Sequence, residues 1–145
     1  MGGMMKSLFV FIQFAGLAII FVTAPVFNSS YFLLTIEIWG VLLGFWAIIA
    51  MKLDNLRIYP DLKENAKLVV SGPYNIIRHP MYFAIILTIT PLIIEYFSWL
   101  RLVIGIIILI DLIFKLNYEE KLLLNNFTDY GSYTKSTYRL IPYIY

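Results

Sequence analysis

Long apolar stretches alternate with short polar ones along the chain, and their lengths give the first outline of the architecture. Uninterrupted hydrophobic runs fill about 7–27 and 31–51, each close to the roughly 20 residues an α-helix needs to cross a hydrocarbon core. The short link around Asn28-Ser29-Ser30 makes them an antiparallel pair. A third run, 81–96, is short and contains Pro91, so it predicts a helix that is kinked or crosses only part of the way. A fourth covers 99–116, while 52–79 and 117–145 are polar. The pattern predicts one all-α, polytopic membrane domain over 1–145. It has about four transmembrane helices, the third short or kinked, with a cytoplasmic catalytic loop at 52–79 and a catalytic tail at 117–145.

Composition agrees: 61% of residues are hydrophobic and 14% charged, against about 25% charged in ordinary soluble domains. The leading MGGMMK has Lys6 where a myristoylation signal wants Ser or Thr. The run after it exceeds a signal-peptide core and reads as a retained helix. A net charge of +2 with dispersed basic residues gives no reason to expect nucleic acid. Without cysteine there is no disulfide, thiol catalysis or thiolate metal site, and a single histidine would leave a metal dependent on carboxylates, so none is expected.

Charge does fix an expected orientation. Lys6, Lys52, Arg57, Lys63, Lys67, Arg78, Lys115, Lys121, Lys135 and Arg139 fall on one side of the four-helix pattern, and Arg101 alone on the other. The excess predicts a multi-pass protein with both termini and the long loop in the cytoplasm. Two acids lie inside apolar runs, Glu37 and Asp111, and such groups usually face a bundle interior or a functional cavity. Asp111, Lys115 and Glu119 share a helical stripe at i, i+4 and i+8, where a self-neutralising ion-pair ladder is one reading. For Glu37 the spacing suggests only a helix-to-helix hydrogen bond.

The densest polar chemistry is SGPYNIIRHPMYFA, Ser71 to Ala84. Residues before proline are pushed from the helical region, and proline favours a helix's first position, so His79 should cap the third helix with Pro80 opening it. Free backbone N–H groups at that start favour an anion, and Arg78, His79 and Tyr82 can face one side. Spacing leaves two readings open: an interfacial anchor or a ligand-binding corner. Ser71 has no nucleophile-elbow context, which weakens a hydrolase. In NYEEKLLL, Asn117 to Leu124, Glu119 and Glu120 point about 100° apart on a helix. They make no paired-carboxylate dyad but can grip different parts of one ligand, or simply form a solvated helix end.

GPYNIIRHPMY, a helical hairpin, EE, then a Tyr-rich segment ending RLIP together resemble the isoprenylcysteine carboxyl methyltransferase and phospholipid methyltransferase superfamily of integral membrane enzymes. The likeness covers roughly Val70 to Pro142. It implies an S-adenosylmethionine site in which Tyr74, Arg78, His79, Pro80, Tyr82, Glu119 and Glu120 bind the cofactor, with Gly72 and Pro73 in the preceding turn. It also implies that Tyr130, Tyr133 and Arg139 close over the cofactor, and that Arg139 and Glu119 serve the methyl acceptor. Ala84 stands where the family often has glycine, and Asn125 and Asn126 where its tail is more often charged.

The expected acceptor is lipophilic and enters from the bilayer. The expected acceptor group is a carboxylate such as that of a prenylated cysteine, which needs no base; the alternative, a phospholipid amine, must first lose a proton. Membrane sterol reductases using NADPH share the RHPxY architecture, but their pattern continues NYxGE where this chain has Met81-Tyr82-Phe83-Ala84-Ile85. A non-catalytic membrane scaffold is the remaining alternative.

Overall fold

A computed structural model describes residues 3–27, 29–52 and 68–145. Arg57, Lys63 and Lys67 of the expected loop lie outside the described residues. The fold is all-helical: α1 Gly3–Thr23, α2 Tyr31–Met51, α3 Pro80–Glu95, α4 Trp99–Asn126 and α5 Tyr130–Ser136, with a 3-10 turn at Gly72–Asn75. No strand forms among the described residues; Ile77 and Tyr138 make an isolated parallel bridge. Segment α1 and segment α2 are long and apolar enough to cross a membrane, and α3 is apolar but shorter.

Two differences from the sequence reading have physical causes. Helix α1 ends at Thr23 because Pro25 follows closely and cannot continue it. Helix α4 does not stop where its apolar run ends. It carries on as one rod of 28 residues, about 42 Å at 1.5 Å per residue, because NYEEKLLLNN contains no breaker.

The helices pack in two closely fitted pairs. Along α2, Gly40, Gly44 and Ala47 form a small-residue stripe against α3. A Cβ on Gly40 would lie 2.7 Å from Thr88 Oγ1 and 2.8 Å from the Thr88 backbone nitrogen, and one on Gly44 would meet Ala84 Cβ at 3.5 Å. Such G-x-x-x-G seams let backbones approach where lipid offers no hydrophobic drive. Helix α1 meets α4 at Gly16, whose missing Cβ leaves room for Ile108. Between the pairs lies a core of Ile20, Ile89, Leu92, Ile104, Ile108, Leu112 and Leu116. Outward, Phe11, Phe14, Phe32, Trp39, Phe45, Ile107 and Phe114 are all exposed, far more apolar surface than a water-facing protein tolerates.

The end opposite the site is tied by two charged caps. Glu95 at the end of α3 accepts from the backbone N–H groups of Ser29 and Ser30 at 3.0 Å, placing an acid at the start of α2. Arg101 donates to the carbonyls of Thr23 and Tyr96 and, at 3.2 Å, to Thr23 Oγ1. The one basic residue expected on that side thus caps α1's last turn.

Candidate active site

At the other end, the segment before α3 is shaped by two glycine and proline positions. Gly72 has φ +61°, and a Cβ there would press within 3.2 Å of Trp46 Nε1 and Ala50 Cβ on α2. Only glycine suits both constraints. His79 caps α3 at φ −121° and Pro80 opens it, as the sequence predicts. The His79 carbonyl accepts from the Tyr82 and Phe83 amides at 3.1 Å.

The tail then closes on this motif through backbone pairing. Arg78 N donates to Tyr138 O at 2.9 Å, His79 N to Arg139 O at 3.2 Å, and Tyr138 N to Ile76 O at 2.9 Å. Tyr133 Oη donates to the Tyr74 carbonyl, and Arg78 Nη1 donates to the carbonyls of Thr137 at 2.6 Å and Thr134 at 3.1 Å. Residues some 60 apart in the chain are thereby fixed side by side.

Glu119 and Glu120 approach the motif from α4, on either side of His79. Nδ1 is 3.6 Å from Glu119 Oε2, and Nε2 is 3.4 Å from Glu120 Oε1. The His79 ring is buried and stacks parallel to Tyr82 at 5.5 Å. Tyr82 Oη donates to Glu119 Oε1. Glu120 bridges two guanidiniums, Arg78 Nε at 2.8 Å and Arg139 Nη2 at 2.9 Å, and Arg139 also donates to Asn117 Oδ1 and Tyr145 Oη. The two acids diverge as helical geometry requires, and their work divides: Glu120 is spent on holding three segments together, while Glu119 is the more exposed.

Burial and charge set the protonation states. Burial alone would raise Glu120, but contacts with His79 and Arg78 and the charges of His79 and Arg139 outweigh it and hold its carboxyl down to about 2. Burial pushes Tyr133 up to about 12, with Arg78 opposing and Glu120 reinforcing. Tyr74 rises by burial and by the negative charge of Glu119; Tyr130 rises by burial and by Glu120, against the pull of Arg78. These phenols stay neutral donors at physiological pH.

Four buried polar atoms in this corner have no hydrogen-bond partner: Tyr74 Oη, His79 Nε2, Tyr130 Oη and Arg139 Nε. Native proteins rarely leave such atoms without a partner, and water, an ion or a bound molecule commonly meets them. A family model described as phospholipid methyltransferase matches residues 29–130. The chain belongs to the phospholipid methyltransferase family. A search of curated proteins returned no match.

Membership places it in the wider superfamily of isoprenylcysteine and phospholipid methyltransferases, so it is a membrane methyltransferase acting on a lipid-related substrate. Together with its two membrane-length helices, this makes it an integral membrane protein. The matched stretch contains the 71–82 motif, Glu119, Glu120 and Tyr130, whereas Tyr133 and Arg139 lie beyond it and join the corner through contacts alone. Sequence reasoning missed Thr134, Thr137 and Asn117 as partners of the two arginines. No local signal marks them, because the contacts depend on how the tail folds back.

Proposed function

We propose that the protein transfers the methyl group of S-adenosylmethionine to the amine of a phospholipid headgroup, in a corner formed by Tyr74, Arg78, His79, Pro80, Tyr82, Glu119 and Glu120. The supporting observation is the cluster of four buried polar atoms that accept or donate no hydrogen bond around the His79–Glu120 ion pair, inside a phospholipid methyltransferase. The donor set fits a zwitterion: the start of α3, Arg139 Nε and the neutral phenols suit a carboxylate and hydroxyls, and Glu119 suits an ammonium. Bound there, S-adenosylmethionine supplies a methyl on a cationic sulfur, already a good leaving group.

The protein's own contribution is alignment and exclusion of water. Arg78 and Glu120 lock the tail onto α4, and Tyr130 and Tyr133 close the corner. Glu119, steadied by Tyr82, is placed to accept the proton that a lipid ammonium must lose before attack. A second reading, the carboxylate of a prenylated cysteine, is favoured by the free Nε of Arg139, which could orient an anionic acceptor without any base. In this reading both termini and the 52–79 loop are cytoplasmic, with 7–27, 31–51, 81–96 and 99–116 as the spans, supported by the excess of basic residues on that side.

Titration of the purified protein with S-adenosylmethionine and with NADPH tests the cofactor. Binding of the former, weakened at least about tenfold by His79→Ala and by Glu119→Ala, is expected. NADPH binding in its place, or an affinity indifferent to both substitutions, would overturn the reading.

A further inference from the structure

A second polar layer lies on the bilayer side of Glu119, between α1 and α4 and beneath Tyr82. Gln13 of α1 is 8% exposed, and Asp111 and Lys115 of α4 are each 3% exposed. The expected ion-pair ladder does not close there. Lys115 Nζ instead donates to Gln13 Oε1 and lies 5.4 Å from the centre of the Tyr82 ring. Both oxygens of Asp111 remain buried without a hydrogen-bond partner. An ammonium has three donors, and a hydrogen bond to one neutral amide is weak recompense for burying a charge. Ionisable groups kept at such positions within apolar helices usually serve a substrate path.

We propose that Lys115 anchors the anionic phosphate of the phospholipid acceptor, with Gln13 Oε1 occupying that phosphate's place until the lipid displaces it and Asp111 holding the ammonium by its opposite charge. The inference rests on the amine-lipid reading above and adds a specificity determinant to it. Lys115 and Glu119 are one turn apart on α4, about 6 Å along the axis. A two-carbon link between phosphate and amine spans a similar distance, so a headgroup with its chains in the bilayer sets phosphate at Lys115 and amine at Glu119. Gln13 lies outside the matched residues 29–130, so α1 completes a site the family match does not cover.

The test compares binding of phosphatidylethanolamine and of a long-chain alkylamine lacking phosphate to the full chain in detergent, without S-adenosylmethionine, by native mass spectrometry. Lys115→Met is expected to weaken phosphatidylethanolamine at least about tenfold and leave alkylamine and S-adenosylmethionine affinities within about twofold. Lys115→Arg, which keeps the charge, should restore most of the loss, and Asp111→Asn should show part of it. In turnover the change should appear in KM for the phospholipid rather than in kcat. Equal changes for both lipids, or no change for either, would overturn the proposal. If Lys115→Met does not fold, Asp111→Asn alone carries the comparison, and an unchanged preference between the two lipids there is equally decisive against it. Lipid discrimination lost by the variants without any methyl transfer in the native protein would sink only the amine-methyltransferase reading.

Discussion

Glu120 does the most structural work of any single residue in the corner, because its two oxygens tie α4 to the RHP segment through Arg78 and to the tail through Arg139. Its carboxyl is held at about 2 against an ordinary 4.5. A depressed acid contributes stability that is complete above its unfolded pKa and is lost as pH falls toward the folded one. The native protein's resistance to thermal unfolding should therefore fall as pH drops from about 4.5 to about 2. Glu120→Gln should melt lower at pH 7 and lose much of that acid dependence, and an unchanged profile in the variant would count against the bridge.

At this scale His79 was readable from sequence, since the steric effect of Pro80 is local and dictates a cap whatever surrounds it. The partners of Arg78 were not. A contact between residues 42 positions apart depends on how α3 and α4 cross, which residue spacing within one segment does not encode. Both acids of the string EE were expected at the cofactor, with Glu119 also at the acceptor; the structural part of Glu120 shows only with the arrival of two arginines on its side.

Among the elements, the α2–α3 seam makes the clearest demand on side-chain size. Gly40→Ala puts a methyl against Thr88 backbone at 2.8 Å, and overpacking of this kind costs about 1–3 kcal/mol. Gly44→Ala meets only Ala84 Cβ at an ordinary 3.5 Å. The first variant should melt clearly below the native protein and the second close to it; equal melting of the two would contradict the close approach. The seam also gives Ala84 its room, supplied from across the interface by Gly44. Helix positions were legible because apolar length fixes them, α2 to the residue. The extension of α4 through NYEEKLLLNN was not, since hydropathy marks where a membrane ends and says nothing about where a helix must.

For the whole molecule, chemistry gathers at one end and helix caps at the other. Among the described residues, Lys6, Lys52, Arg78, Lys121, Lys135 and Arg139 belong to the side with the site and Arg101 to the other, the distribution on which the proposed cytoplasmic orientation rests. The natural absence of cysteine allows a direct check. Single cysteines at Ser29 or Ser98 should react with a membrane-impermeant maleimide from outside intact cells, and one at Ser71 only after the membrane is opened; the reverse pattern would invert the orientation. The family was legible in the ordered motifs from Gly72 to Arg139, whereas the contact of α1 with Lys115 was hidden, because a lone Gln13 in an apolar helix carries no signal until Lys115 is found against it.

Amine methylation is tested most directly by transfer of label from methyl-labelled S-adenosylmethionine into vesicles containing phosphatidylethanolamine and, in parallel, a prenylcysteine analogue, with the labelled product identified. Label in an N-methylated phospholipid, reduced at least about a hundredfold by Glu119→Ala, is the predicted result. Label confined to the prenylcysteine carboxylate, or transfer to the amine lipid undiminished in that variant, would contradict it.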